Sequence, residues 1–183
     1  MEELIDILDE FGNKEKRTLS ANEVHKSGFW HRVIKVVVLN QNNEILIQRR
    51  SKTKKIFPNV WDIGVTGHVS AGEQPIASAQ RELFEELGIK AKQNELKYIF
   101  SYKKDIGYND FKEKMFIDLF YIKKDFNIAD FSILKDEVSE IRFIELENFN
   151  QFLNDDYFIE NFELEAIKEK LKGIIYDNQE GWI

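Results

Sequence analysis

The segment from Pro75 to Leu87 places the strongest constraint on the fold, because its sequence marks both ends of a helix. Proline is favoured in the first turn of a helix, where its missing N–H has no intrahelical partner to lose. At the other end, Gly88 followed by Ile89 is typical of a left-handed C-terminal cap with a hydrophobic contact. The sequence therefore predicts a helix over residues 75–87.

This helix carries three carboxylates on one face. At about 100° per residue, Glu82, Glu85 and Glu86 share an arc of about 100°. Like charges at these spacings each oppose the helix by a few tenths of a kcal/mol. A solvated acidic surface would explain the pattern, and so would a bound cation. The apolar stripe beside the acidic face consists of Ile76, Ala79, Leu83 and Leu87.

The loop before the helix favours the cation. It supplies Gly67, Gly72 and a fourth carboxylate, Glu73. Arg81 stands within the helix where it can pair with Glu85 or fold back toward Glu73. Loop and helix together are expected to form a pocket of oxygen atoms.

Residues 67–89 resemble the Nudix box. They read as glycine, five residues, glutamate, seven residues, and then Arg-Glu-Leu-x-Glu-Glu-x-Gly-Ile, without a departure from the pattern. The resemblance implies an α/β fold, the Nudix α/β/α sandwich with a mixed β-sheet. It also implies a pyrophosphohydrolase that cleaves a nucleoside diphosphate-linked or related small diphosphate compound by water attack on phosphorus.

The same resemblance implies a metal cofactor, Mg²⁺ or Mn²⁺. Hard divalent ions prefer carboxylate, carbonyl and water oxygens and bridge protein to phosphates. By analogy with the family, Glu85 serves either as a ligand or as the catalytic base. The implied metal ligands are Gly67, Glu82, Glu85 and Glu86.

Further site residues are expected outside the box. Family members often recruit an acid from a loop before a late strand, where Glu137 stands here as a second catalytic candidate. A solvated loop acid would explain Glu137 equally well. The stretch "QRRSKTKK" gathers positive charge in an acidic chain, and such a patch could hold phosphates or simply face solvent. Its candidate substrate-binding residues are Arg49, Arg50 and Lys54.

Most of residues 4–146 also resembles the branch that contains type I isopentenyl diphosphate isomerase and its hydrolase relatives, notably at "HKSGFWHRV" and "TGHVSAGE". In those isomerases a metal is held by histidines matching His25, His31 and His68, although the spacing between the first two is one residue shorter here. Imidazole commonly binds transition metals. The alternative to a metal site is that each histidine has an ordinary structural place: His25 at a helix end, His31 hydrogen-bonded in the core and His68 in a loop.

The isomerase chemistry fits this chain less well than hydrolysis does. The isomerases need a cysteine where this chain has Thr66, and a hydroxyl is far less acidic than a thiol. They also depart from the intact box. An isomerase-like enzyme and a non-catalytic metabolite-binding Nudix module are therefore kept as alternatives to the hydrolase.

Local patterns elsewhere predict strands around one internal helix, with helices at the end of the chain. An N-terminal β-hairpin is predicted from residues 4–8 and 17–19, with a helix over 2–11 as its alternative. Ser20 and Glu23 have the spacing of a capping box for a short helix that ends near Gly28. Further strands are predicted at 32–40, 45–50, 96–103, 114–124 and 140–146, a polar loop at 51–64, a turn at 105–110, and helices at 148–153 and 161–175.

Composition limits the classes of function. The 183 residues suit a single domain over 1–183, and the absence of cysteine excludes disulfides and thiolate chemistry. The net charge of −7 argues against a general nucleic-acid binder. The chain shows neither a signal peptide nor a long apolar run. We therefore expect a cytoplasmic protein with a small-molecule diphosphate partner, without nucleic acid or membrane, and leave a homodimer open.

Overall fold

Nine strands form one mixed sheet in the computed structural model, which describes residues 3–108, 111–148 and 161–176. The strands are β1 (Leu4–Leu8), β2 (Lys14–Ser20), β3 (Trp30–Leu39), β4 (Ile45–Arg50), β5 (Trp61–Ile63), β6 (Val65–His68), β7 (Lys97–Tyr108), β8 (Phe111–Lys123) and β9 (Val138–Ile144). The helices of the described ranges are α1 (Ala21–Ser27), α2 (Pro75–Leu87) and α3 (Asn161–Tyr176), with 3-10 turns at Gln93–Glu95 and Ile128–Asp130.

The N-terminal hairpin and the helix after it are confirmed. β1 and β2 pair antiparallel, and the alternative of a helix over 2–11 is wrong because Ile5 and Ile7 alternate into a small core against α1. Ser20 and Glu23 form the predicted capping box, in which each side chain accepts a hydrogen bond from the other residue's backbone N–H. Gly28 ends α1 in the left-handed conformation, with φ at 70°.

The central strand is β3. It runs parallel to β8 along its full length and antiparallel to β6, with Ile34 opposite Gly67 and Lys35 opposite Thr66. Successive side chains of a strand point to opposite faces, so β3 contributes to both sides of the sheet. The residues that pack on the α2 side are Ile34, Val36 and Val38, and those that pack on the α3 side are Val37 and Leu39.

Helices cover both faces, which confirms the α/β/α sandwich. The apolar stripe of α2 packs on one face through Ala79, Leu83 and Leu87. On the other face α3 packs through Leu164, Ile167, Leu171 and Ile175. The predicted bounds of α2 are confirmed, and Gly88 caps it with φ at 73°. α3 matches the prediction for 161–175, whereas most of the helix predicted at 148–153 lies outside the described residues.

Two local predictions are wrong. The polar loop predicted over 51–64 contains β5, whose three buried residues pair with β4. The turn predicted over 105–110 is largely strand, because β7 and β8 stay paired as far as Tyr108 and Phe111. The turn preference of Asp105 and Gly107 is overridden here by pairing with a long partner strand, an effect of context that strand propensity does not contain. Among the described helices, none has the length and apolar character to span a membrane.

A network of charges is buried between the sheet and α3. Lys35 Nζ donates to Asp62 Oδ1 at 2.9 Å and to Glu163 Oε1 at 3.3 Å. Lys104 Nζ donates to Glu163 Oε2, and the Tyr102 hydroxyl donates to Glu163 Oε1, both at 2.5 Å. Burial alone would raise the pKa of Glu163, but the two ammonium groups outweigh burial and lower that pKa to about 2. These bonds tie α3 to β3 and β7.

Glu163 is expected to make stability depend on acidity. Because its folded-state pKa of about 2 lies below the ordinary value of 4.5, its contribution is complete above about pH 4.5 and is lost as the pH falls toward 2. A shift of this size corresponds to about 3 kcal/mol of unfolding free energy. Urea unfolding of Glu163→Gln should show lower stability than wild type at pH 7 and a smaller loss on acidification.

The exposed Glu165, on the same helix, provides the matched control. Glu165→Gln should follow the wild-type pH profile. Identical pH profiles for wild type and Glu163→Gln would contradict the assignment.

Candidate active site

The loop and helix of residues 67–89 meet at Gly67. This residue lies in β6 against α2, and a Cβ added there would overlap the carboxylate of Glu82. The requirement for glycine at this position is therefore steric, since any side chain would displace the glutamate. The predicted proximity of Gly67 and Glu82 is present in the structure.

The three glutamates differ in their surroundings. Glu82 and Glu86 are 9% and 7% exposed, whereas Glu85 faces solvent. Burial raises the pKa of Glu86 to about 8, although Gln48 Nε2 donates a hydrogen bond to its Oε2 at 2.8 Å. Burial also raises the pKa of Glu82, and Arg81 offsets part of that effect. A helix whose buried face carries two carboxylates is short of positive charge.

Arg81 supplies part of that charge. Its guanidinium donates to Glu82 Oε1 at 2.6 Å, to Glu85 Oε2 at 3.2 Å and to Glu73 Oε2 at 3.3 Å. It also donates to the backbone oxygen of His68 at 3.0 Å. Both predicted pairings of Arg81 are therefore present at once. Arg81 holds α2, the preceding loop and β6 in one arrangement.

The three histidines lie together, although they are far apart in sequence. Their ligand atoms fall within 4.8 Å of one another, and His25 Nε2 is 3.1 Å from His68 Nε2. His31 Nδ1 is 3.1 Å from the backbone oxygen of Phe29, which favours a proton on Nδ1 and a lone pair on Nε2. His31 Nε2 is buried and has no hydrogen-bond partner among the described residues. The alternative of an His31 fully satisfied in the core is therefore wrong.

Two carboxylates that the sequence analysis missed adjoin the histidines. Glu113 lies 3.7 Å from His25 Nε2 and 3.9 Å from His31 Nε2, and Glu3 Oε2 lies 2.9 Å from His68 Nδ1. Burial lowers the pKa of His25 to about 4 and that of His31 to about 3, so both are neutral at pH 7. Glu113 could have been found from its inward position in the alternation of β8, whereas no local signal points to Glu3.

The predicted phosphate-binding residues have different contacts in the structure. Arg50 donates to the backbone oxygens of Phe57 and Ile56, and Arg49 Nε donates to that of Asn59 at 3.2 Å. Both arginines therefore hold the loop between β4 and β5. Lys54 forms an ion pair with Glu137, so the predicted catalytic candidate and a predicted phosphate ligand contact each other.

One cavity of about 1300 Å³ joins these groups. Arg49 is not among its lining residues, so the structure does not bring that predicted residue to the site. His31 is not among them either, because it is fully buried. A chain with oxygen ligands, imidazoles and basic groups around one cavity can bind metal ions and anionic phosphates together. The predicted site residues that line it are Gly67, Glu82, Glu85, Glu86, His25, His68, Arg50, Lys54 and Glu137.

Comparison with known proteins agrees with this geometry. A sequence profile described as the NUDIX domain matches residues 29–162. The chain belongs to the Nudix family. It is 31% identical over 164 residues to the Listeria innocua protein named Nudix hydrolase lin0387, covering 90% of this chain and 92% of that one. The prediction of a Nudix pyrophosphohydrolase is confirmed, and proteins of this family generally use divalent metal ions.

Two further relatives bear on the branch. Nudix hydrolase 3 of Arabidopsis thaliana is 33% identical over 160 residues, which are 85% of this chain and only 21% of that longer protein. An isopentenyl-diphosphate Delta-isomerase of Corynebacterium diphtheriae is 36% identical over 88 residues, 48% of each chain. The predicted branch, which joins Nudix hydrolases to the isomerases, is confirmed.

Solved structures share the fold. DR0079 from Deinococcus radiodurans superposes with a TM-score of 0.70 at 18% identity, covering 91% of this chain and 98% of that one. The NUDIX domain of Shewanella oneidensis NrtR, solved with ADP ribose, gives a TM-score of 0.59 at 11% identity, covering 79% and 87%. At these identities the likeness concerns the fold alone.

Gly67→Ala is expected to disable the site while leaving the fold intact. Its Cβ would push the Glu82 carboxylate aside, and a displacement near 1 Å in such a site can lower activity by about 100-fold. Hydrolysis rates and the melting temperature (Tm) would be measured together. The control is Gly72→Asn, because Gly72 has open space around it and asparagine tolerates its positive φ. Full activity in Gly67→Ala would contradict the steric argument.

Proposed function

We propose that this protein is a divalent-metal-dependent hydrolase that cleaves the diphosphate of a nucleoside diphosphate-linked or related small molecule by water attack on phosphorus. The observation that carries the proposal is the pair of buried carboxylates, Glu82 beside Gly67 and Glu86 beside Gln48, at the wall of a cavity that Arg50 and Lys54 also line. Negative charge for a cation and positive charge for phosphates thus share one cavity.

The donor set fits Mg²⁺ or Mn²⁺. Glu82, Glu86 and Glu85 offer carboxylate oxygens, and Gly67 offers a backbone oxygen in the adjoining strand. Burial disfavours the ionised form of Glu82 and Glu86, so a cation beside them would recover the lost solvation. When bound, a divalent ion would supply charge that neutralises phosphate oxygens and makes water more acidic.

The remaining steps belong to the side chains. Glu85 is the solvent-facing carboxylate of the three and is our candidate for the base that takes a proton from the attacking water. As the water oxygen bonds to phosphorus, the bond from phosphorus to the bridging oxygen breaks and that oxygen leaves with its electron pair. Lys54 and Arg50 would stabilise the phosphate charge. Glu137 is the second candidate base, once Lys54 engages phosphate instead.

The histidine cluster suggests a second metal site. We assign His25, His31 and His68 as its ligands, with Glu113 as a fourth, because three imidazoles and a carboxylate converge around His31 Nε2, which has no hydrogen-bond partner among the described residues. Such a donor set suits a transition metal such as Mn²⁺ or Zn²⁺. Glu3, which contacts His68 Nδ1, would orient that ring.

The two other functions have less support. Thr66 lines the cavity at the position where the isomerases need a cysteine, and no thiol exists in the chain to replace it. A non-catalytic module would have no use for two buried, mutually repelling carboxylates, which lower the stability of the metal-free protein. Hydrolysis needs no thiol, and it uses both carboxylates as metal ligands.

Glu86→Gln is expected to change activity and stability in opposite directions. With Mg²⁺, hydrolysis of a diphosphate panel in ¹⁸O water should fall by at least about 100-fold. In EDTA near pH 9 the Tm should rise above that of wild type, because glutamine removes a buried carboxylate whose pKa of about 8 makes ionisation costly. Glu140→Gln, on β9 outside the cavity lining, is the control. Unchanged hydrolysis in Glu86→Gln would overturn the proposed metal site.

The histidine site is tested by metal content. Tag-free protein purified without chelator should carry about one transition-metal ion per chain, and His68→Asn should lose most of it. Glu85→Gln should retain that metal while its kcat falls by roughly 10²–10⁴-fold. Mass spectrometry of the metals and rate measurements would be made on the same samples. Wild-type protein without transition metal would remove the second site and leave the hydrolase proposal standing.

A further inference from the structure

The N-terminal hairpin of β1 and β2 lies outside the part of the chain that matches the family profile. β1 nevertheless contacts the loop that leads into α2. Residues 70–73 of that loop form a tight turn, in which Glu73 N–H donates to the backbone oxygen of Ser70 at 2.9 Å. The third residue of the turn, Gly72, has φ at 78°, which is typical of a type II turn and which glycine adopts without strain.

The first three residues of this turn are each joined to β1. The three contacts join Ser70 to Ile5, Ala71 to Leu4 and Gly72 to Asp6. The first two are contacts between backbones. In the third, Gly72 N–H donates to Asp6 Oδ2 at 2.8 Å, and the Asp6 side chain is only 18% exposed. Substitution of Asp6 therefore removes one contact and leaves the backbone contacts in place.

Asp6 restrains the most flexible point of the turn. Apart from its chain neighbours, no atom of the described residues lies within 4 Å of the position that a Cβ of Gly72 would occupy. Glycine also has more conformational freedom to lose than any other residue. A bond from a backbone N–H to a carboxylate is charge-assisted and stronger than a bond between neutral groups. The bond to Asp6 therefore holds Gly72 in its turn conformation.

The fourth residue of the turn connects it to α2. Glu73 Oε2 accepts hydrogen bonds from Ser78 Oγ at 2.6 Å and from the Arg81 guanidinium at 3.3 Å. The same guanidinium donates to Glu82 Oε1 at 2.6 Å and to Glu85 Oε2 at 3.2 Å. A continuous set of bonds thus runs from β1 through the turn to the carboxylates that are proposed to hold the metal.

We propose that Asp6 is a positioning residue for the metal site, and that the N-terminal hairpin thereby sets the affinity of the box for its divalent ion. This inference rests on the proposed function, since it concerns the same glutamates. Asp6 does not line the cavity and acts only through the turn. Without its bond to Gly72, the ion itself would have to order Arg81 and the glutamates, and part of the binding free energy would be lost to that ordering.

The first experiment measures Mn²⁺ binding by electron paramagnetic resonance. The component that disappears in Glu86→Gln identifies the box site. For that component, Asp6→Ala should raise the Kd by about tenfold or more, as the loss of outer-shell partners does. The kcat at saturating Mg²⁺ should stay close to the wild-type value, because a bound ion orders the glutamates. Asp6→Asn keeps an oxygen acceptor for Gly72 N–H and should restore most of the affinity.

Asp9→Ala is the matched control in the same hairpin. The Asp9 carboxylate accepts N–H bonds from Phe11 and Asn13, so its loss weakens the connection between β1 and β2 without touching residues 70–73. We expect wild-type Mn²⁺ affinity in this variant, and the Tm of every variant would be recorded. If Asp9→Ala weakened Mn²⁺ binding as much as Asp6→Ala, hairpin stability would be the cause and the inference would be overturned.

A second measurement needs no substitution. If the Asp6 bond favours metal binding, metal binding must in turn favour that bond, because coupling between two binding equilibria is reciprocal. Addition of Mg²⁺ should therefore slow exchange of the Gly72 amide hydrogen in NMR spectra. The Asn13 amide, which Asp9 holds in the hairpin, should keep its exchange rate. This measurement decides the inference even if Asp6→Ala does not fold.

The outcomes separate this inference from the proposed function. Unchanged Mn²⁺ affinity in folded Asp6→Ala, or an unchanged exchange rate at Gly72, would overturn the inference and leave the hydrolase proposal standing. Equal losses of affinity in Asp6→Asn and Asp6→Ala would also overturn it, because the acceptor oxygen would then not be the cause. Mn²⁺ binding and hydrolysis that both persist in Glu86→Gln would instead overturn the proposed function, and this inference with it.

Discussion

The core and the cavity both depend on the alternation of one strand, β3. Its pairing with β6 and β8 sends Ile34 toward α2 and sends His31 and Lys35 to the opposite face. The same register places Gly67 opposite Ile34 and Thr66 opposite Lys35. A slip of one residue would exchange the two faces. The hydrogen bonds that close the sheet therefore also assemble the site.

The site holds more like charge than is favourable for the stability of the fold. Glu82 and Glu86 are buried on one helix face. The Arg81 guanidinium and the Gln48 amide replace only part of the hydration that the two carboxylates lose on burial. In contrast, the buried charges between the sheet and α3 are paired with opposite charges on neighbouring elements, as Glu163 is with Lys35. Unbalanced carboxylates at one end and balanced ion pairs at the other give the cavity two chemically different regions.

The local sequence was sufficient to predict the structure wherever capping residues decide it. Pro75 and Gly88 mark the ends of α2, and Ser20 with Glu23 marks the start of α1, since these signals act through bonds within a few residues. Strand extent was less predictable. β5 and the far ends of β7 and β8 exist because partner strands pair with them, and a partner's register is not written in the strand itself.

The sequence by itself determined the acidic helix and the family, because both depend on residue spacing along one segment. Only the tertiary structure decided which distant groups meet. It brought Glu113 to the histidines, turned Arg49 toward the loop before β5, and joined Lys35 to Glu163 across the length of the chain. Those contacts depend on strand register and on helix packing, which combine the whole chain rather than any segment of it.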